Sequence, residues 1–99
     1  MQDDNVYRYM KQQGYYRIAL VKFHKGGKQY YYRCRGAEEI HSDDYLVVEI
    51  GDKDKYVSVC AVFWTKPEDI DYSVENMKFY KRLVTDEDEK TKAFSFSQR

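Results

Sequence analysis

No run of apolar residues in this chain is long enough to span a bilayer as a helix. The first residues, Met1 to Asn5, are polar and acidic, unlike a secretory signal. Both absences point to a cytoplasmic protein with no membrane partner. Cysteine is scarce: Cys34 and Cys60 are the only two. Each sits in an apolar or aromatic run, which reads as a reduced, buried thiol rather than half of a staple. The four residues best able to hold zinc are His24, Cys34, His41 and Cys60, with gaps of ten, seven and nineteen. None forms a CxxC or HxxxH unit, so no metal is expected. The GxSxG, Walker and GxGxxG patterns are missing too. A nucleophilic thiol needs a lowered pKa and a base nearby; Arg33 and Arg35 flank Cys34, but the strand pattern turns its thiol to the core. Asp52 and Asp54 have a calcium-loop spacing without the Glu that should follow. These absences together predict a non-enzymatic protein without a cofactor.

Acid is also missing from one long stretch. Between Arg8 and Arg35 there are eight Lys or Arg and no Asp or Glu. From Gly36 to Val84 the balance reverses, with eleven acids and six bases, and Asp86 to Glu89 are acidic in a row. The formal net charge is zero, so the molecule can carry a basic face and an acidic one.

What is abundant is aromatic side chain: 17% of the 99 residues, eleven of them Tyr. Tyr has an apolar ring and a polar tip, and suits half-buried strands and contact surfaces. Hydrophobic residues make up 42% and charged residues 34%, as in a folded chain with a well-solvated surface. The length fits one domain with one main core.

Residues 2–13 read as a short helix, capped by Asp3 or Asp4, with Val6, Tyr9, Met10 and Gln13 on one side and Gly14 ending it. Tyr15 to Phe23 is the first strand and Tyr30 to Cys34 the second, joined across Gly26-Gly27. A Gly pair between two β-rich runs is a hairpin signal, since both central residues can take positive φ. With Gly26 and Gly27 as the loop, Phe23 faces Tyr30, Val21 faces Tyr32 and Ala19 faces Cys34, an apolar core face. The opposite face sets Lys22 against Tyr31, Leu20 against Arg33 and Ile18 against Arg35. Tyr45 to Ile50, Tyr56 to Trp64 and Lys78 to Val84 are three further strands, with Pro67 breaking the chain after the fourth. Residues 68–77 read as a loop or one short helix. Residues 1–84 then form one domain, and 85–99 an acidic, flexible tail carrying Phe94 and Phe96.

Five short strands with tight turns predict a mainly β fold, a small SH3-like or OB-like barrel. The run Ala19 to Phe23, the Gly26-Gly27-Lys28 turn, Tyr30, Tyr32, Ile40, Asp43-Asp44 and Tyr45 to Glu49 resembles the strand plan of small SH3-like domains of bacteria and their phages. The resemblance covers residues 15–63. In that plan a Gly-Asp pair commonly precedes a Val-Val strand; here Asp43 takes the Gly position, and Ser58 and Val59 stand where the next strand often has Gly. The resemblance implies a fold and hardly bears on function.

The leading functional expectation rests on the hairpin. Lys22, Lys25, Lys28, Tyr31, Arg33 and Arg35 combine cations for phosphates with a ring for stacking on bases. They predict a binding module for nucleic acid or for a protein that handles it. The alternative is a protein inhibitor using acidic mimicry of nucleic acid, with Asp43, Asp44, Asp52 and Asp54 as its contacts. In size and charge habit the chain resembles phage-encoded inhibitors of bacterial defence, anti-CRISPR proteins among them, which act in the host cytoplasm. A strand left open at the sheet edge would also permit a homodimer.

Overall fold

The computed structural model describes residues 4–36 and 38–86. A helix, α1 (Asp4–Gln12), precedes five strands: β1 (Tyr16–Lys22), β2 (Gln29–Arg33), β3 (Tyr45–Ile50), β4 (Lys53–Thr65) and β5 (Arg82–Leu83). They form one antiparallel sheet in the order β2-β1-β4-β3-β5.

Gly14 ends α1. It takes φ 88°, its N–H donates to Lys11 O, and the Tyr15 N–H reaches back to Met10 O. That pair of bonds is a Schellman cap. The helix docks by a different side from the one expected: Val6 and Tyr9 are exposed, whereas Tyr7 packs on Trp64 with ring centroids 5.6 Å apart. The Tyr7 hydroxyl donates to Arg35 O at 2.7 Å, which fixes that side of α1 against the sheet. Asp3, one of the two expected caps, lies outside the described residues.

The β1–β2 register differs from the expected one by two residues. Val21 pairs with Tyr30, Ala19 with Tyr32 and Leu20 with Tyr31. The cause is the turn. Gly27 N–H donates to His24 O, so the turn runs from His24 to Gly27 and centres on Lys25-Gly26. Only Gly26 of the glycine pair takes positive φ, at 77°. A two-residue slip leaves every side chain on its original face. Ala19, Val21, Tyr32 and Cys34 accordingly enter the main core with Ile40, Leu46, Val48, Val57, Val59 and Tyr80. Each fully buried Val or Leu there contributes about 1.5–3 kcal/mol.

A bulge lies where β1 meets β4: Leu20 pairs with Ala61 and Val21 with Val59, leaving Cys60 as the extra residue. Bulges bend a strand and increase its twist. The opposite face of the sheet is covered too. After Pro67 the chain makes two 3-10 turns, Pro67–Asp69 and Val74–Asn76. These bring Ile70, Val74 and Met77 onto Ile18, Tyr16, Tyr31 and Phe63 as a second, smaller core.

The sheet is not closed into a barrel, which corrects that expectation. The segment expected as a full fifth strand pairs with β3 only through Arg82 and Leu83. Just before that pair the chain makes an isolated parallel bridge from Phe79 to Arg33 on β2, and between the two the Tyr80 side chain is buried in the main core. The segment thus touches β2 through a single bridge and ladders along β3 for two residues only. Apart from Thr85 and Asp86, the expected tail lies outside the described residues, Phe94 and Phe96 included. Among the described residues no helix is long and apolar enough to cross a membrane.

Candidate nucleic-acid interface

β2 organises the surface that the sequence singled out. It has β1 on one side and, among the described residues, only the Arg33–Phe79 bridge on the other. Because the Arg33 N–H donates outward to Lys78 O at 2.8 Å, strand alternation turns the Tyr31 backbone the same way. Two depressions flank the strand. One, of about 470 Å³, is lined by Tyr30, Tyr31, Tyr32, Tyr72 and Met77 together with Lys28 and Lys78. The other, of about 310 Å³, lies at the Arg33 end, between β1, β2 and α1. Lys11, Arg17, Arg33 and Arg35 line it together with Tyr7, Tyr16 and Phe79.

The expected residues are distributed over both. Lys25 is an exposed turn residue, and Lys22 is half-buried opposite Gln29. Lys28 holds its Nζ 5.5 Å from the Tyr30 ring centre. Tyr31 is not a fully free ring: it is half-buried, 6.3 Å from Phe63 and 6.2 Å from Tyr72 between centroids. Arg33 lies over Phe79 at 4.5 Å and over Tyr16 at 5.1 Å, and Arg35 lies over the same Phe79 at 4.9 Å. The Arg35 Nη1 also donates to Tyr80 O at 2.9 Å. Rings this close to the guanidinium groups restrict them and save part of the entropy of ordering them on a ligand.

Lys11, Arg17, Tyr16 and Phe79 had no place in the sequence reading of this site. Arg17 left a trace: it falls on the alternating core side of β1 with Ala19 and Val21, where a charge is out of place. Lys11 and Phe79 arrive from distant segments and left none.

The Cys34 thiol is buried, and burial pushes it up to about 11 against the opposing pull of Arg17, with Glu38 adding to the rise. It is a poor nucleophile in this setting. The Tyr7 hydroxyl is raised as well, by burial first and then by Cys34, with Arg17 and Arg33 opposing. Among the described residues no three His, Cys, Asp or Glu side chains gather as a metal site would need.

The acidic candidates do not share a surface. Asp43 and Asp44 precede β3 and, with Glu39, line a depression of about 380 Å³. There the Asp44 carboxylate accepts from the His41 backbone N–H at 2.8 Å. Asp52 and Asp54 lie at the far end of β3, roughly 20 Å away at strand rise. Asp54 is paired with Lys81 at 3.0 Å. No protein-family model, curated protein or solved structure matches the chain.

Proposed function

We propose that this chain is a non-enzymatic binding module that takes single-stranded nucleic acid, or a protein that handles it, along β2. The observation that carries the reading is the lining of the two depressions: among the described residues it holds aromatic rings and six Lys or Arg, and no acidic side chain. Phosphates seek the cations, and unstacked bases seek ring faces. Tyr30 and Tyr72, the more exposed rings, serve the second role better than the half-buried Tyr31, which packs against Phe63 and Tyr72.

The test is fluorescence-anisotropy titration of labelled single- and double-stranded oligonucleotides across a salt series. The expected result is binding that weakens steeply with salt, with a slope that counts the phosphates contacted. Lys22→Glu with Arg33→Glu should abolish it while the far-UV spectrum is kept. Binding that survives this double change places the site elsewhere.

A second reading is a phage-type protein inhibitor that contacts its target through acidic groups. The depression lined by Glu39, Asp43 and Asp44 favours it. Absence of oligonucleotide binding even at low salt selects this reading over the first.

A further inference from the structure

Arg17 is a charged residue inside the protein, with 5% of its surface exposed. A guanidinium does not give up its proton in a protein, so burial leaves a full positive charge to be answered. Among the described residues the answer is incomplete. Nη1 donates to two main-chain carbonyls, Gly36 O at 3.1 Å and Glu38 O at 2.7 Å. Nε, equally buried, has no acceptor among the described residues. Among the described residues no carboxylate pairs with it; the Glu38 carboxylate accepts from the Tyr80 hydroxyl instead. Buried charges are ordinarily paired, because an unpaired one is costly to desolvate.

The surroundings deepen the deficit. Lys11, Arg33 and Arg35 line the same groove, and among the described residues no acid does. The Lys11 ammonium is held below its ordinary range, first by burial and then by the charge of Arg33. Four cations around about 310 Å³ repel one another, and folding keeps them there. An anion entering the groove would relieve that repulsion and give Arg17 its missing counter-charge.

We infer that this groove is an oxyanion site for a phosphate group, with Arg17 as buried anchor and Lys11 and Arg33 at its mouth. A phosphate carries up to two charges and three strong acceptor oxygens, and so matches several converging cations better than a single carboxylate does. The inference goes beyond the nucleic-acid reading and does not require it, since the site should take inorganic phosphate alone.

The experiment is thermal unfolding and ¹H–¹⁵N spectroscopy of the full chain, titrated with inorganic phosphate against chloride at matched ionic strength. The expected result is a saturable rise in Tm with phosphate, about 5–10 °C at tenfold over its Kd, and a shift of the Arg17 Nε–H resonance. Chloride raising Tm equally, or an unmoved Arg17 resonance at saturation, overturns the inference. Arg17→Met risks unfolding the domain, so Lys11→Gln and Arg33→Gln carry the argument. Each should weaken phosphate binding by about tenfold with the fold intact, and unchanged binding in both overturns the inference. Lys28→Gln, outside the groove, should leave it unchanged. Thymidine 5′-monophosphate and the dinucleotide TpT separate the two sources: tighter binding of the first assigns the site to a terminal phosphate, of the second to an internal phosphodiester. If neither they nor inorganic phosphate binds, the site is refuted. Phosphate binding without oligonucleotide binding removes only the nucleic-acid reading.

Discussion

Alkali should destabilise this domain through two groups in its main core. Cys34 and Tyr80 are acids that the fold keeps protonated. Burial pushes the Cys34 thiol from 9.0 up to about 11. The Tyr80 hydroxyl is raised from its ordinary 10.0 by burial first, and then by its hydrogen bond to Glu38. Below pH 9 both are neutral whether the chain is folded or not, and their contribution is fully present. Above it the unfolded chain ionises first, binds fewer protons than the folded one, and stability falls as pH rises. Two pH units of such difference at Cys34 remove about 2–3 kcal/mol by pH 11, and Tyr80 removes about 1 more between pH 10 and 11. Tyr7 and Tyr32, raised chiefly by burial, act in the same direction. Lys11, lowered by burial and by Arg33, acts in the opposite one, but it is exposed and solvent-screened. The sum is about 3–4 kcal/mol, against a total of about 5–15 for a typical domain. Urea unfolding followed by far-UV circular dichroism at pH 8, 9, 10 and 11 reads it directly, as a midpoint about 1–3 M lower at pH 11. Cys34→Ala with Tyr80→Phe should remove most of the slope. An unfolding free energy equal at pH 8 and pH 11, or a double variant that falls as steeply as the parent, would refute the reasoning.

Substitutions at four further positions test the backbone and the second core. Gly26→Ala forces a Cβ into φ 77° and should cost about 1–2 kcal/mol in urea unfolding. Gly27→Ala meets only the exposed His24 ring, 2.7 Å away and able to swing aside, and should cost less than about 0.5 kcal/mol. Asp43 takes φ 74°, so Asp43→Gly should be neutral or stabilising, whereas Asp43→Val should cost about 1–2 kcal/mol. A clear loss with Gly would show that the Asp43 side chain contributes more than its backbone strain removes. Met77→Ala should cost about 2 kcal/mol, the low end for a buried Met, because its small cluster can collapse. Hydrogen exchange should quicken at the Asn76 and Met77 amides and stay slow along β3 and β4.

The strands were legible because their signals are local. Tyr45 to Ile50 appears in the structure as β3 to the residue, and the alternation in β1 sorted Ala19 and Val21 from Ile18 and Leu20 correctly. The hairpin faces came out right although the register did not, because the turn moved by one residue and the pairing therefore by two. What escaped depends on distant segments. Ile70, Val74 and Met77 are spaced as one side of a helix would be, a sign of burial that was open to reading. Nothing local in Lys78 to Val84 says that it will ladder for two residues only, since that depends on where Tyr80 must go. The site was half legible for the same reason: Lys28, Arg33 and Arg35 lie in or just beyond the one strand β2, whereas Lys11 and Phe79 reach the groove only once α1 and residues 78–80 have docked.

That late docking has a consequence for how the chain reaches its native state. Residues 78–84 touch β2 through Phe79 and β3 through Arg82 and Leu83. During synthesis the first four strands emerge before the segment that secures both flanks. At about 5–20 residues per second, translation leaves those flanks unguarded for a second or more, long compared with hairpin formation. Loops of this sequence separation also make the final closure slow. The nascent domain therefore passes through an interval when its Tyr-rich margin is open to other chains, and a released chain that ends just before Lys78 would keep that margin exposed even though it carries nearly all of the residues of the main core.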